Sequence, residues 1–147
     1  QLQSSAASDV YKRQISIFDD TYNANPDSVR AAIGVVADVP ALNGSSRTVV
    51  LGMMGELGRF AEEMHLQIGE HAARNQLQVI SVGVEAARIA EGAKRAGGSV
   101  VEHFDRYEDA VNWLKGTLRP GDTVLFKGSR KAAVERVMNA VFPPTTN

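Results

Sequence analysis

Short apolar runs alternate along the chain with longer segments in which apolar positions return at helical spacing. The runs at 15–20, 48–53, 79–82, 99–104 and 123–127 are rich in Val, Ile, Leu and Phe, and suit strands buried on both faces. Helical patterns fill 26–39, 60–75, 85–96, 107–118 and 130–141. In the first of them Val29, Ile33 and Val36 form a stripe, Asn25 stands where an N-cap belongs and Pro26 occupies the first helical position. Gly97-Gly98 and "RPGD" at 119–122 are turn signals that return the chain to the next strand.

Connections of this length are too long for hairpins and long enough for a helix, so they predict right-handed crossovers. The fold class that follows is α/β: a Rossmann-like, doubly wound, mainly parallel sheet of about five or six strands with helices on both faces. Ligands of such sheets sit beyond the carboxyl ends of the strands, which makes the residues just after each strand the candidate site. Residues 1–14, "QLQSSAASDVYKRQ", sustain neither period and are expected to be a foreign or disordered leader. That leaves 15–142 as the domain and 143–147 as a tail.

Composition narrows the function classes. At 147 residues, one domain buries about 70% of the surface of its unfolded chain. With 44% hydrophobic and 22% charged residues it is an ordinary globular chain. Sixteen Lys+Arg against 17 Asp+Glu give a net charge of -1, which lacks the basic footprint of a nucleic-acid binder. The absence of cysteine excludes disulfides, thiolate metal sites and cysteine nucleophiles. No apolar run approaches the roughly 20 residues of a membrane span. The expected setting is the cytosol, with no membrane and no nucleic-acid partner.

Three strand ends carry candidate chemistry. After the first comes "DDTYNANPDS" at 19–28. Asp19 and Asp20 can accept hydrogen bonds from sugar hydroxyls or hold a divalent cation, the Asn amides can meet a purine edge, and Tyr22 can stack. Equally, Asp20 and Asn25 can simply organise a turn and cap a helix. After the second strand, "LGMMGELG" spaces Gly52, Gly55 and Gly58 by three, either for close backbone approach to a ligand or for a plain turn. After the fifth, "FKGSR" offers Lys127, Ser129 and Arg130 at the expected start of a helix, a setting for a carboxylate or phosphate. The alternative is an exposed basic loop with Ser129 as N-cap.

Other features point to packing. His65 and His71 are six apart and read as helix surface or packing rather than a metal pair. Trp113 and Leu114 read as core. No metal-ligand set is expected. Neither a Gly-x-Ser-x-Gly elbow nor a triphosphate-binding Gly-Lys-Ser/Thr loop occurs.

Taken in order, "DDTYNANPDS", "VVLGMMGELG" at 49–58 with His65 and Ile68-Gly69 in the next helix, "SVG" at 81–83 and "LFKGSR" at 125–130 resemble the carboxy-terminal domain of the Mur ligase family, of the MurF type. The resemblance spans 15 to about 142. It implies an ATP-dependent amide ligase that adds D-alanyl-D-alanine to UDP-N-acetylmuramoyl-tripeptide in bacterial peptidoglycan synthesis. Such an enzyme is cytoplasmic, is expected to be a monomer, and carries amino-terminal and central domains besides this one. ATP and Mg²⁺ would be bound mainly by those other domains, so this domain is expected to hold no catalytic residue and to be inactive alone. By the same resemblance Asp20, Tyr22, Asn23 and Asn25 would border the ribose and adenine, and Lys127, Ser129 and Arg130 would face the dipeptide. Met53 stands where many relatives carry an acid, and no ligand role is assigned to it.

Two rival readings remain. A phosphoacceptor receiver domain would also use Asp19-Asp20 and Lys127 around Mg²⁺, but it needs an aspartate ending the third strand, where this chain has "ISVGV". A stand-alone nucleotide-binding Rossmann-like module would bind nucleotide tightly without other domains.

Overall fold

The computed structural model describes residues 2–3, 14–42 and 44–144. Its strands are β1 (Leu2–Gln3), β2 (Ser16–Asp20), β3 (Arg47–Leu51), β4 (Gln78–Val82), β5 (Val101–Phe104) and β6 (Thr123–Lys127). Its helices are α1 (Pro26–Ala37), α2 (Ala61–Arg74), α3 (Ala87–Arg95), α4 (Tyr107–Thr117) and α5 (Glu135–Val141), with 3₁₀ turns at Gly58–Phe60 and Val84–Ala86. The sheet runs β1-β2-β6-β3-β4-β5, parallel throughout except for β1.

Alternation along the strands divides each apolar run between two cores. Val49, Leu51, Val79 and Leu125 face the layer containing Val29, Ile33 and Val36 of α1, Ile68 and Ala72 of α2, and Ile89 and Ala93 of α3. Val50, Ile80, Val82, Val124 and Phe126 face Ala110 and Leu114 of α4 and Val137 of α5. A strand with both faces covered needs apolar residues at successive positions, which is why the runs are continuous. Trp113 joins the second core, its ring 6.3 Å from that of Phe104.

The position of β6 sets the site. It lies between β2 and β3, pairing Lys127 with Asp20 on one side and with Leu51 on the other. The chain leaves β2 and β3 toward one face of the sheet and leaves β6 toward the other, so crevices open on both flanks of β6 at its carboxyl end.

Two features lie outside the pattern read from the sequence. Leu2–Gln3, within the expected leader, pairs antiparallel with Phe18 and Ile17. Edge pairing uses the backbone and needs no side-chain period, so the pattern gave no sign of it. Residues 4–13 and 145–147 lie outside the described residues. The last helix starts at Glu135, not at 130: residues 128–134 form turns in which Ser129 Oγ accepts from Ala132 N–H at 3.2 Å and Ala133 takes a φ of 50°. Lys127 therefore ends β6, and Gly128-Ser129-Arg130 is a loop, not a helix mouth.

Candidate functional site

The segment after β2 organises itself. Asp19 Oδ1 accepts from Thr21 Oγ1 at 2.9 Å, and Asn23 Oδ1 accepts from the Ala24 N–H at 2.9 Å. Asn25 sits in extended backbone, its Oδ1 accepting from Ser28 N–H at 2.9 Å, while Ser28 Oγ accepts from Asn25 N–H at 3.1 Å. This reciprocal capping box satisfies two donors that the first turn of α1 would otherwise leave open. Asn25→Ala is expected to cost about 1 kcal/mol of stability, read as a lowered urea midpoint with an unchanged slope. A midpoint equal to the parent's would show that the cap contributes nothing.

Two glycines let the next two loops touch. A Cβ on Gly52 would lie 2.6 Å from Val134 Cγ2 and 2.8 Å from Ala132 Cβ, and one on Gly128 would lie 2.6 Å from Val134 Cγ2 and 3.3 Å from Gly52 Cα. Gly52 N–H donates to Lys127 O at 2.9 Å, and Ser129 N–H donates to Met53 O at 2.9 Å. Gly58, by contrast, stands in open space at a φ of 57° and serves a turn. Gly55 has room as well, with Ser129 Cβ 3.8 Å from where its Cβ would be.

These loops enclose a cleft of about 780 Å³ lined from β2 by Tyr22, Asn23 and Asn25, from β3 by Met53 and Glu56, and from β6 by Ser129 and Arg130, among others. Five of the seven residues expected at nucleotide or dipeptide thus meet in one place. The two sets also touch. The Arg130 guanidinium lies 5.7 Å from the Tyr22 ring centroid, donates to Thr21 O at 3.4 Å and pairs with Glu135 Oε2 at 3.0 Å. Glu135 Oε1 is buried without a hydrogen-bond partner, an unsatisfied acceptor behind that guanidinium.

Asp20 and Lys127 stand apart from the cleft's lining. Lys127 Nζ donates to Asp20 Oδ2 at 2.8 Å and to Asn23 O at 2.9 Å, with 2% of the Lys127 side chain and 40% of the Asp20 side chain exposed. Lys127 was expected at the dipeptide carboxylate. Its charge is instead spent on Asp20, because parallel register sets the two at the same level of adjacent strands.

Other supporting residues carried no decisive signal in the sequence. His65 was expected at the surface or in packing. It is buried, its Nδ1 2.6 Å from Ala61 O and its Nε2 accepting from Met54 N–H at 2.9 Å, so the ring ties the loop after β3 to α2. With Nε2 an acceptor, Nδ1 must carry the proton and donate to Ala61 O. Tyr107 O–H donates to Ala132 O and steadies the loop after β6 from its other side. Burial pushes this phenol above its ordinary range, keeping it a neutral donor. Glu56 lines the cleft at a φ of 59°, a conformation uncommon for a non-glycine residue.

One constellation imitates a catalytic triad. Ser81 Oγ is 2.7 Å from His103 Nδ1, and His103 Nε2 is 2.8 Å from Asp105 Oδ1. Ser81 has no exposed surface, so no substrate reaches its hydroxyl, and the chain of bonds satisfies a buried polar group. Among the described residues no group of three His, Asp or Glu side chains could hold a metal ion, and no helix is long and apolar enough to cross a membrane.

Comparison with known proteins places these motifs in context. The model of the Mur ligase glutamate ligase domain matches residues 8–130. The chain is similar to the UDP-N-acetylmuramoyl-tripeptide--D-alanyl-D-alanine ligase of Escherichia coli (strain K12), 37% identical over 128 residues that make up 85% of this chain and 26% of that protein. Among solved structures it resembles MurF from Acinetobacter baumannii, with TM-score 0.79, 28% identity, and 96% of this chain and 29% of that one covered. It also resembles the MurF ligase from Thermotoga maritima in complex with ADP, with TM-score 0.72, 29% identity, and 88% and 28% covered. The chain spans about a quarter of the length of the curated relatives it matches.

Proposed function

The chain belongs to the Mur ligase family, and from that premise we propose that it serves as the carboxy-terminal domain of an ATP-dependent ligase joining D-alanyl-D-alanine to UDP-N-acetylmuramoyl-tripeptide. In that reaction the tripeptide carboxylate takes the γ-phosphoryl group of ATP, releasing ADP. The dipeptide amine then attacks the acyl phosphate and expels phosphate, forming the amide. This domain's part is binding and positioning, worth several powers of ten where two reactants must meet in one geometry. Acyl transfer itself, and Mg²⁺, are assigned to the amino-terminal and central domains of the intact enzyme, which we place as a monomer in the bacterial cytoplasm.

The observation that carries this reading is the single cleft at the ends of β2, β3 and β6. Its Tyr22, Asn23 and Asn25 wall offers an aromatic face and amide groups suited to the ribose and adenine, with Asp20 beside it. Its Ser129 and Arg130 wall offers a hydroxyl and a guanidinium suited to the dipeptide carboxylate. Lys127 then acts through others, its ammonium holding Asp20 and the Asn23 carbonyl in place.

The test is steady-state kinetics of a full-length ligase carrying this domain. Arg130→Ala is expected to raise KM for D-alanyl-D-alanine roughly tenfold, the equivalent of one charge-assisted hydrogen bond, and KM for ATP much less. An effect confined to ATP would reverse the assignment of the two walls.

A further inference from the structure

Away from the cleft, a second set of charged side chains faces a common recess. Arg30 on α1 and Gln67, Glu70, His71 and Arg74 on α2 line a space of about 280 Å³. Positions 67, 70, 71 and 74 follow the spacing that puts side chains on one helix face. Arg30 Nη2 donates to Gln67 Oε1 at 3.3 Å, and Gln67 Nε2 donates to Glu63 Oε2 at 3.1 Å, which fixes the Gln67 amide between the helices. Among the described residues the Arg74 guanidinium has no hydrogen bond or ion pair, that of Arg30 has only Gln67, and the Glu70 carboxylate is paired with neither. His71 is held below the ordinary imidazole range, first by burial and then by the charges of Arg30 and Arg74, so both guanidinium fields reach the ring.

We propose that this recess is an anion site for a phosphate group, free or as a monoester, with Arg30, His71 and Arg74 as its donors. Two guanidinium groups against one carboxylate leave it positive. The donors arrive from two helices, and a tetrahedral ion has acceptor oxygens on every side to meet them, where a carboxylate has two in a plane. The recess has room for the phosphate group itself, and the rest of a monoester would extend into solvent. A space of about 280 Å³ accommodates a phosphate with a few waters. The recess shares no lining residue with the cleft, and the proposal does not rest on the ligase reading.

The experiment follows the His71 imidazole resonances of the 147-residue chain by NMR, titrating inorganic phosphate and, separately, methyl phosphate at constant ionic strength. A saturable shift is expected, weakened roughly tenfold by Arg74→Gln, the equivalent of one charge-assisted hydrogen bond. Glu70→Gln, which removes the one carboxylate of the lining, should instead tighten binding. Saturation by both anions identifies a site open to monoesters, and saturation by inorganic phosphate alone identifies a site for the free ion. A shift that grows linearly with concentration, or a saturable one unchanged in both variants, would overturn the proposal.

Discussion

Asp20→Ala is expected to destabilise the fold by roughly 3 kcal/mol, far more than loss of a surface carboxylate, because it leaves a buried ammonium without its counter-charge. Exposed ion pairs contribute about 0–1 kcal/mol. The Asp20–Lys127 pair is not of that kind, since the lysine is 2% exposed and keeps only the Asn23 carbonyl once the aspartate is gone. Replacing both members by the double change Asp20→Asn and Lys127→Met should recover most of the lost stability, as removing a whole buried pair commonly does. Urea unfolding of the single and double variants measures this directly. A single variant as stable as the parent would show that the ion pair does not hold this end of the sheet. The result also governs how the nucleotide assignment is tested. Asp20→Asn keeps an oxygen acceptor for Lys127 though not its counter-charge, so it disturbs the β2–α1 loop less than Asp20→Ala and is the better variant in which to read a raised KM for ATP.

The second large effect lies between α2 and α3. A Cβ on Gly69 would sit 1.8 Å from Ile89 O, and one on Gly92 would sit 2.0 Å from Leu66 O. Both obstacles are backbone carbonyls of the opposite helix, so no side-chain rotation relieves them and the helices must separate. Gly69→Ala should cost about 3 kcal/mol, the upper end of overpacking effects, and lower the urea midpoint by roughly 1–2 M. Gly34→Ala provides the contrast. That glycine lies inside α1 with nothing within 4 Å of an added Cβ, so the same substitution should stabilise by about 0.5–1 kcal/mol through helix propensity. If Gly69→Ala and Gly34→Ala shifted the midpoint alike, the close approach of α2 and α3 would not be present in solution.

The five parallel strands and the helices between them could be read from the chain because each depends on neighbours in sequence. Val49-Val50-Leu51 and Val124-Leu125-Phe126 are continuous runs since both faces of the sheet are covered. Asn25 and Pro26 announce the start of α1, Asn25 through bonds with Ser28 that span three residues. The strand-end rule then drew attention to Tyr22, Asn23, Asn25, Ser129 and Arg130, which line one cleft. The start of α5 was not legible, because the apolar pattern of 130–141 carries no trace of Ala132 and Val134 being drawn against Gly52 and Gly128.

The sequence by itself determined the order of elements, the split of apolar positions between two cores and the strand ends at which chemistry gathers. Those properties follow from spacings of two, three and four residues. Only the tertiary structure decided what the individual groups do. Lys127 turns to Asp20 across 107 residues of chain, His65 to the Met54 amide, Tyr107 to the Ala132 carbonyl, and Arg30 to Gln67. A charge or a hydrogen-bonding group does not encode its partner locally; strand register and helix packing choose it by bringing one acceptor within about 3 Å and excluding water from the rest.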